Sequence, residues 1–352
     1  MTRTKFKNDA GVNTSVIAKK VKKESFSMKS PAPMTPALHG GTDGTAIHPD
    51  DRNNRSPEMT HYGISDATRR NWKKLNTSAN GRLAARANKR KSDRRVLPLE
   101  YVSNKNNIAR IEAILDYIDD HSLDIMSVML TFGTGLLKKA GILRERHVAL
   151  TLDEYKDTGI TEDLVSAELP DDEFDILGLL YQSYLLEGMK NITGSYYTPQ
   201  KIARSMVQDL NFSNGQTFLD PCCGSGAFLL AVSAKNPEQI YGIDNDKTAV
   251  LIAKINMLLK YKDTAFVPQI YCSDYLSAQS PVQNNDIYER KFNYIATNPP
   301  WGAMNKNYAF ISGITSKESF SYFFVKSFNQ LDKDGTIKFL FPEAVLNVKN
   351  HK

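Results

Sequence analysis

The sequence predicts an α/β protein whose C-terminal half is a parallel, doubly wound sheet, preceded by a helical region and a basic N-terminus. Two observations carry this expectation. From Thr217 onward, short apolar stretches alternate with amphipathic ones: strands at Thr217–Asp220, Ile240–Asp244, Gln269–Ser273, Phe292–Thr297 and Thr336–Phe341, helices at Ala227–Ser233, Ala249–Tyr261 and Phe320–Leu331. Buried strands separated by helices pair in parallel, because each crossover returns the chain to the same edge of the sheet. Second, the first strand runs into the glycine-containing turn Asp220-Pro221-Cys222-Cys223-Gly224-Ser225-Gly226, which allows a tight turn and close backbone approach of a ligand.

Residues 1–57 are rich in Lys, Ser, Thr, Pro and Gly and are expected to be a disordered basic arm. Residues 58–95 contain Tyr62-Gly63-Ile64-Ser65 followed by the basic run Asp66–Leu75, which suits the turn and second helix of a small helix-turn-helix segment. Ala67 and Trp72 would face its core, and Arg69, Arg70 and Lys73 would point outward toward DNA. An ordinary basic surface helix has the same pattern. Residues 96–190 read as helical, with Ile108–Ile118 amphipathic at helical spacing and Phe174–Met189 carrying an apolar face. Residues 191–352 form the expected catalytic domain.

Composition narrows the class. The 352 residues are 41% hydrophobic and 24% charged, ordinary for a globular protein with room for two or three domains. No apolar run approaches the ~20 residues of a membrane span, so no membrane partner is expected. Three cysteines, two of them adjacent, form neither a disulfide framework nor a zinc spacing, which fits a reducing, cytoplasmic setting and no metal. The net charge of +6 conceals an asymmetry: residues 1–95 hold 21 Lys/Arg against 8 Asp/Glu, the remainder 24 against 31. A basic arm on an acidic body suits a nucleic-acid partner, although a solvated tail has the same composition.

The turn at 220–226 is not a dinucleotide fingerprint. Asp220 precedes the glycines, and its carboxylate would repel a pyrophosphate but attract a cationic amino-acid moiety. That shifts the expected cofactor from NAD to S-adenosylmethionine, whose amino and sulfonium groups are positive. Asp244 ends the second strand 18 residues beyond Gly226, where a carboxylate accepts bonds from ribose hydroxyls. Asp274 follows the third strand, where an adenine amine would lie. Each acid alone also reads as a helix cap or turn former. Cys222 and Cys223 fill the turn and are not expected to be redox-active.

Asn298-Pro299-Pro300-Trp301 follows the strand Phe292–Thr297. A side-chain amide and a proline carbonyl are acceptors for an exocyclic amine, and a neighbouring indole can stack on the ring that carries it. The four residues suit holding a planar amine for attack on an electrophile.

These motifs, in this order, resemble the gamma class of N6-adenine DNA methyltransferases, the modification enzymes of restriction–modification systems. The resemblance runs from about Asp175 to the C-terminus: Gly194-Ser195-Tyr196-Tyr197-Thr198-Pro199, then Asp220–Phe228, Asp244, Ser273-Asp274-Tyr275-Leu276 and Asn298–Trp301. Ser321–Phe324 and Gly335–Leu346 follow as weaker motifs. The resemblance implies a Rossmann-like, S-adenosylmethionine-dependent domain acting on adenine rotated out of double-stranded DNA. It implies that Tyr197, Thr198 and Pro199 wall the methionine end of the cofactor. Asp220, Gly224 and Gly226 would bind its carboxylate and amine, Asp244 its ribose and Asp274 its adenine. Asn298 and the Pro299 carbonyl would accept bonds from adenine N6, with Pro300 stiffening the loop and Trp301 stacking on the base.

Family members continue beyond the point matching Lys352 into further strands and a target-recognition domain, so a specificity or target-recognition polypeptide is the expected partner. Alternatives are a methyltransferase acting on RNA or a protein glutamine amide, and a non-catalytic or partner-dependent S-adenosylmethionine- or DNA-binding subunit. No metal-dependent nuclease constellation is present to suggest a fused endonuclease.

Overall fold

A computed structural model of the chain describes residues 2–7, 13–18, 97, 101–171, 173–185, 198–210, 212–213, 215–276, 286–301, 314 and 318–341. The expected helix-turn-helix, with Arg69, Arg70 and Lys73, lies outside these residues, as does Tyr197. Within the arm expected to be disordered, β1 (Thr2–Lys7) and β2 (Asn13–Ala18) pair antiparallel. Thr2, Thr4, Thr14, Val16 and Ile17 are β-branched and favour extended backbone once a partner strand is present.

The helical region comprises α1 (Ile108–Asp120), α2 (Ile125–Lys139), α3 (Arg146–Leu152) and α4 (Ile176–Tyr184). On α1 the buried residues Ile111, Leu115 and Ile118 recur at helical spacing and form one apolar stripe. Asp124 caps α2 by accepting from Ser127 N at 2.8 Å, and Lys138 and Lys139 occupy the last turn, where they oppose the helix dipole. Asp175 caps α4 through Gly178 N at 2.8 Å.

The second half contains β3 (Phe218–Asp220), β4 (Ile240–Asp244), β5 (Gln269–Cys272), β6 (Phe292–Thr297) and β7 (Leu331–Phe339). They form one parallel sheet of order β5-β4-β3-β6-β7. Its helices are α5 (Gln200–Val207), α6 (Ala227–Ala231), α7 (Lys247–Lys260) and α8 (Ser319–Asn329). Alternation along the strands feeds both faces. Phe218, Ile240 and Ile270 join the core built with α2, α4, α5 and α7, while Leu219, Ile243, Ile295, Ile337 and Phe339 join Tyr275 and Phe323 of α8 on the other side. This is the expected doubly wound architecture.

Boundaries depart from the sequence reading at the end of the chain. The expected helix Phe320–Leu331 stops at Asn329, and β7 begins at Leu331 rather than Thr336. Leu331 pairs with Phe292, and regular pairing resumes only at Thr336 opposite Tyr294. The intervening Asp332–Asp334 are exposed, so the turn-forming Asp332-Lys333-Asp334-Gly335 is a bulge within the strand, not a linker before it.

The helical region and the sheet share one core. Helix α7 is buried from Thr248 to Leu258 and packs on α2. Lys254, its one buried cation, reaches Glu154 Oε1 and Oε2 at 2.7 and 2.6 Å. On β7, buried Lys338 donates to the Met206 carbonyl at 2.7 Å and to Asp209.

Candidate functional site

The sheet order reverses between β3 and β6: β4 and β5 extend one way from β3, β6 and β7 the other. In such sheets the two loops leaving the carboxyl ends of the central strands diverge to opposite faces and leave a crevice where ligands bind. Here those loops are the turn after Asp220 and the Asn298–Trp301 segment. Asp220 ends β3 beside Gly242 of β4, Asp244 ends β4 beside Cys272 of β5, and Thr297 ends β6 beside Phe339 of β7. The expected site residues on these strands therefore share one edge.

Gly224 and Gly226 adopt φ of +52° and +97°, backbone that L side chains rarely take. Gly226 caps α6 in the left-handed conformation, and Gly226 N donates to the Cys223 carbonyl at 2.8 Å. The turn is fixed from three directions. Asp244 Oδ2 accepts from Gly224 N at 2.8 Å, and its Oδ1 accepts from Asp246 N at 3.0 Å. Asp175 accepts from Ser225 Oγ at 2.6 Å, and Asn256 Nδ2 bonds both Asp175 Oδ1 at 2.8 Å and the Ser225 carbonyl at 3.0 Å. A side chain on Gly178 would collide with Asp175 and Ser225, which explains a glycine inside α4. Asp246 is in turn held by Tyr181 OH at 2.6 Å while it caps α7 through Thr248 N and Ala249 N.

Asp220 is fully buried, and burial pushes its carboxyl up to about 7 despite bonds from Thr297 Oγ1 and Cys222 N. Asp244 is raised to about 6 for the same reason, against bonds from Asp246 N and Gly224 N. Among the described residues neither carboxyl makes an ion pair with a lysine or arginine. Two under-compensated carboxyls beside a glycine turn fit a ligand that brings its own positive charge, as S-adenosylmethionine does. Asp244 also keeps lone pairs for further donors, since each carboxylate oxygen accepts more than one bond.

Thr198 is buried, and Pro199 precedes α5 as its N-cap residue. Both line a cavity of about 230 Å³ together with Glu173, Asp175, Gln182 and Ser225. This cavity joins the helical region to the glycine turn. Asp274 takes the turn-forming geometry, with Oδ1 accepting from Leu276 N at 3.0 Å. Around it, Tyr288 OH reaches Ser273 Oγ at 2.5 Å and the Asp274 carbonyl at 3.2 Å, and Lys326 lies 4.5 Å from the Tyr288 ring. Lys326 is brought down to about 8 by burial, although Asp274 and Glu289 act in the opposite direction.

In the other loop, Asn298 Oδ1 and Trp301 Nε1 are withdrawn from solvent, and Pro299 is buried between them. Ser319, at the start of α8, donates to the Pro300 carbonyl. The strands that carry the two loops touch at their ends: Thr297 Oγ1, on the last residue of β6, lies 2.6 Å from Asp220 Oδ1 and 2.9 Å from Cys222 Sγ. The Cys222 and Cys223 thiols are pushed well up, chiefly by burial, which opposes thiolate chemistry.

Four residues not singled out from the sequence hold the site together: Asp175, Asn256, Thr297 and Ser319. Only Asn256 left a signal, as an amide in the otherwise apolar stretch Ile252–Leu259 that also holds Lys254. Among the described residues no group of three or more His, Cys, Asp or Glu is arranged to hold a metal ion, and no helix is long and apolar enough to cross a membrane.

The chain is similar in sequence to known proteins. The chain is 31% identical over 213 residues to the type II methyltransferase M.VspI of Vibrio sp. (strain 343), covering 57% of this chain and 50% of that protein. It is 27% identical over 146 residues to the type I restriction enzyme MjaIX methylase subunit of Methanocaldococcus jannaschii, covering 36% of this chain and 23% of that protein. The chain thus spans half or less of the length of these relatives. Among solved structures, a type I restriction-modification system methyltransferase subunit from Streptococcus thermophilus aligns with a TM-score of 0.36 at 19% identity, over 78% of this chain and 62% of that chain. The sequence profile of N-6 DNA methylases matches residues 172–352, just over half of the chain and including every strand of the parallel sheet. The chain belongs to the N-6 DNA methylase family.

Proposed function

We propose that this chain transfers the methyl group of S-adenosylmethionine to N6 of adenine in double-stranded DNA, as the modification component of a restriction–modification system. What supports the reading is that a carboxylate-lined glycine turn and the Asn298–Trp301 loop leave the neighbouring strands β3 and β6, whose last residues Asp220 and Thr297 are hydrogen-bonded at the switch point of the sheet. Its relatives' names, a type II methyltransferase and a type I methylase subunit, motivate a partner polypeptide that chooses the DNA site.

When bound, S-adenosylmethionine supplies an electrophilic methyl on a sulfonium. The residues do the rest. Asp220 and the backbone around Gly224 and Gly226 orient the amino-acid end, Asp244 the ribose and Asp274 the adenine ring, with Thr198 and Pro199 closing the methionine side. Asn298 Oδ1 and the Pro299 carbonyl accept the two N6 hydrogens of the target base, which localises the nitrogen lone pair. Trp301 stacks on that base, and Pro300 restricts the loop. Catalysis is then chiefly in-line positioning. Neither Asn298 nor Pro299 is a base, so the proton shed after transfer leaves to water.

The raised carboxyls make this reading testable by pH. A cationic ligand binds the ionised form of Asp220, so affinity should tighten as pH rises through about 7. It should weaken again above about 8, where the ligand's own α-amino group loses its proton. The linked effect on stability has the opposite sign. Asp220 and Asp244 titrate at about 7 and about 6 in the folded chain against an ordinary 3.8, so the folded state holds extra protons across that window. The ligand-free chain should therefore lose stability as pH rises from about 4 to about 7, and S-adenosylmethionine should restore it. Calorimetric titrations and melting curves across pH check both. Affinity independent of pH between about 6 and 8 would contradict the role given to Asp220.

A further inference from the structure

Thr297 carries no role in the motifs that point to the site, yet it lies where the two halves of the site meet. It is the last residue of β6, is fully buried, and immediately precedes Asn298. Its Oγ1 is 2.6 Å from Asp220 Oδ1 and 2.9 Å from Cys222 Sγ, and its carbonyl accepts from Leu340 N at 2.9 Å. A hydroxyl has one proton to give. With the carboxylate at the shorter distance, that proton goes to Asp220, and the Cys222 thiol, kept protonated by burial, donates to the Thr297 oxygen. The result is an ordered chain, Cys222 S–H to Thr297 O–H to Asp220, spanning β3 and β6.

We infer that Thr297 is a positioning residue, setting the distance between the cofactor carboxylate Asp220 and the amine acceptor Asn298. Two properties fit it for this. Threonine is stiff about χ1 in a strand, so the direction of its hydroxyl is tied to the backbone that carries Asn298. The bond also favours the charged form of Asp220, the form a cationic ligand needs. The other groups facing Asp220 are Cys222, through its backbone N–H and its thiol, and Asp244, whose charge pushes the Asp220 carboxyl upward. Thr297 is the side-chain hydroxyl opposing that push.

The inference rests on the reading of Asp220 and Asn298 given above, and the test separates the two. Cofactor affinity across pH and the transfer rate at saturating cofactor are measured for the full chain and for Thr297→Val and Thr297→Ser. Valine keeps the shape and removes the hydroxyl. It should weaken S-adenosylmethionine binding by about 10-fold, move the pH midpoint of binding upward, and slow transfer at saturation. Serine keeps the hydroxyl and should return the midpoint toward that of the native chain. A folded Thr297→Val with native affinity and midpoint overturns the inference. So does Thr297→Ser shifting the midpoint as far as Thr297→Val does, because the cause would then be packing; if valine does not fold, a serine chain whose affinity and midpoint both leave the native values overturns it in the same way. Absence of S-adenosylmethionine binding by the native chain instead removes the underlying reading.

Discussion

Asn298→Ala is expected to lower methyl transfer by about 10³-fold, the scale of removing one preorganised hydrogen-bonding group from a reacting centre. S-adenosylmethionine affinity should stay within about twofold. The separation follows from the fold: Asn298 leaves β6, whereas the cofactor turn leaves β3 and is fixed by Asp244, Asp175 and Asn256. Asn298→Asp is the sharper variant, because it keeps the acceptor oxygen and adds a charge next in sequence to Thr297, which bonds Asp220. It should lose transfer and also displace the pH midpoint of cofactor binding. Single-turnover rates with calorimetry distinguish the two effects. Equal loss of affinity and rate in Asn298→Ala would show that the residue supports the fold instead of acting on the acceptor amine.

Asp175→Ala should destabilise the fold by about 3 kcal/mol, through a lost helix cap and buried polar groups left unpaired. One carboxylate there caps α4 through Gly178 N and takes bonds from Ser225 Oγ and Asn256 Nδ2. Alanine removes the cap and strands polar groups in a packed junction, each of which costs free energy when left unmade. Asp175→Asn keeps an acceptor for Gly178 N, and the Ser225 hydroxyl can turn to accept instead, so the loss should fall to about 1 kcal/mol. Urea denaturation of both variants measures the difference. The alanine variant should also bind cofactor more weakly, since Ser225 sits in the glycine turn. Equal destabilisation by alanine and asparagine would mean that the side-chain volume matters and the bonds do not.

What the sequence made legible follows how local each feature is. The strands Ile240–Asp244 and Phe292–Thr297 were readable to the residue, because each is a short β-branched and aromatic run closed by a strong breaker, Asn-Asp in one case and Asn-Pro-Pro in the other. β7 was misread at its start because its pairing skips Asp332–Gly335, and a bulge cannot be told from a turn without the partner strand. Within the site, Asp220, Gly224, Asp244 and Asn298 stand at the ends of recognisable strands. Asp175, Thr297 and Ser319 matter through partners 50, 77 and 19 residues away, and no local pattern encodes those distances.

The central claim is that the amine held by Asn298 is adenine N6 in DNA. Its most direct test is to express the chain together with its neighbouring open reading frames in a host that lacks adenine methylation. The genome is then mapped for modified bases, with the Asn298→Ala chain in parallel. The account predicts N6-methyladenine at a defined set of sites with the native chain and none with the variant. Unmodified DNA accompanied by methyl label in a protein band, or adenine methylation that survives Asn298→Ala, would contradict it.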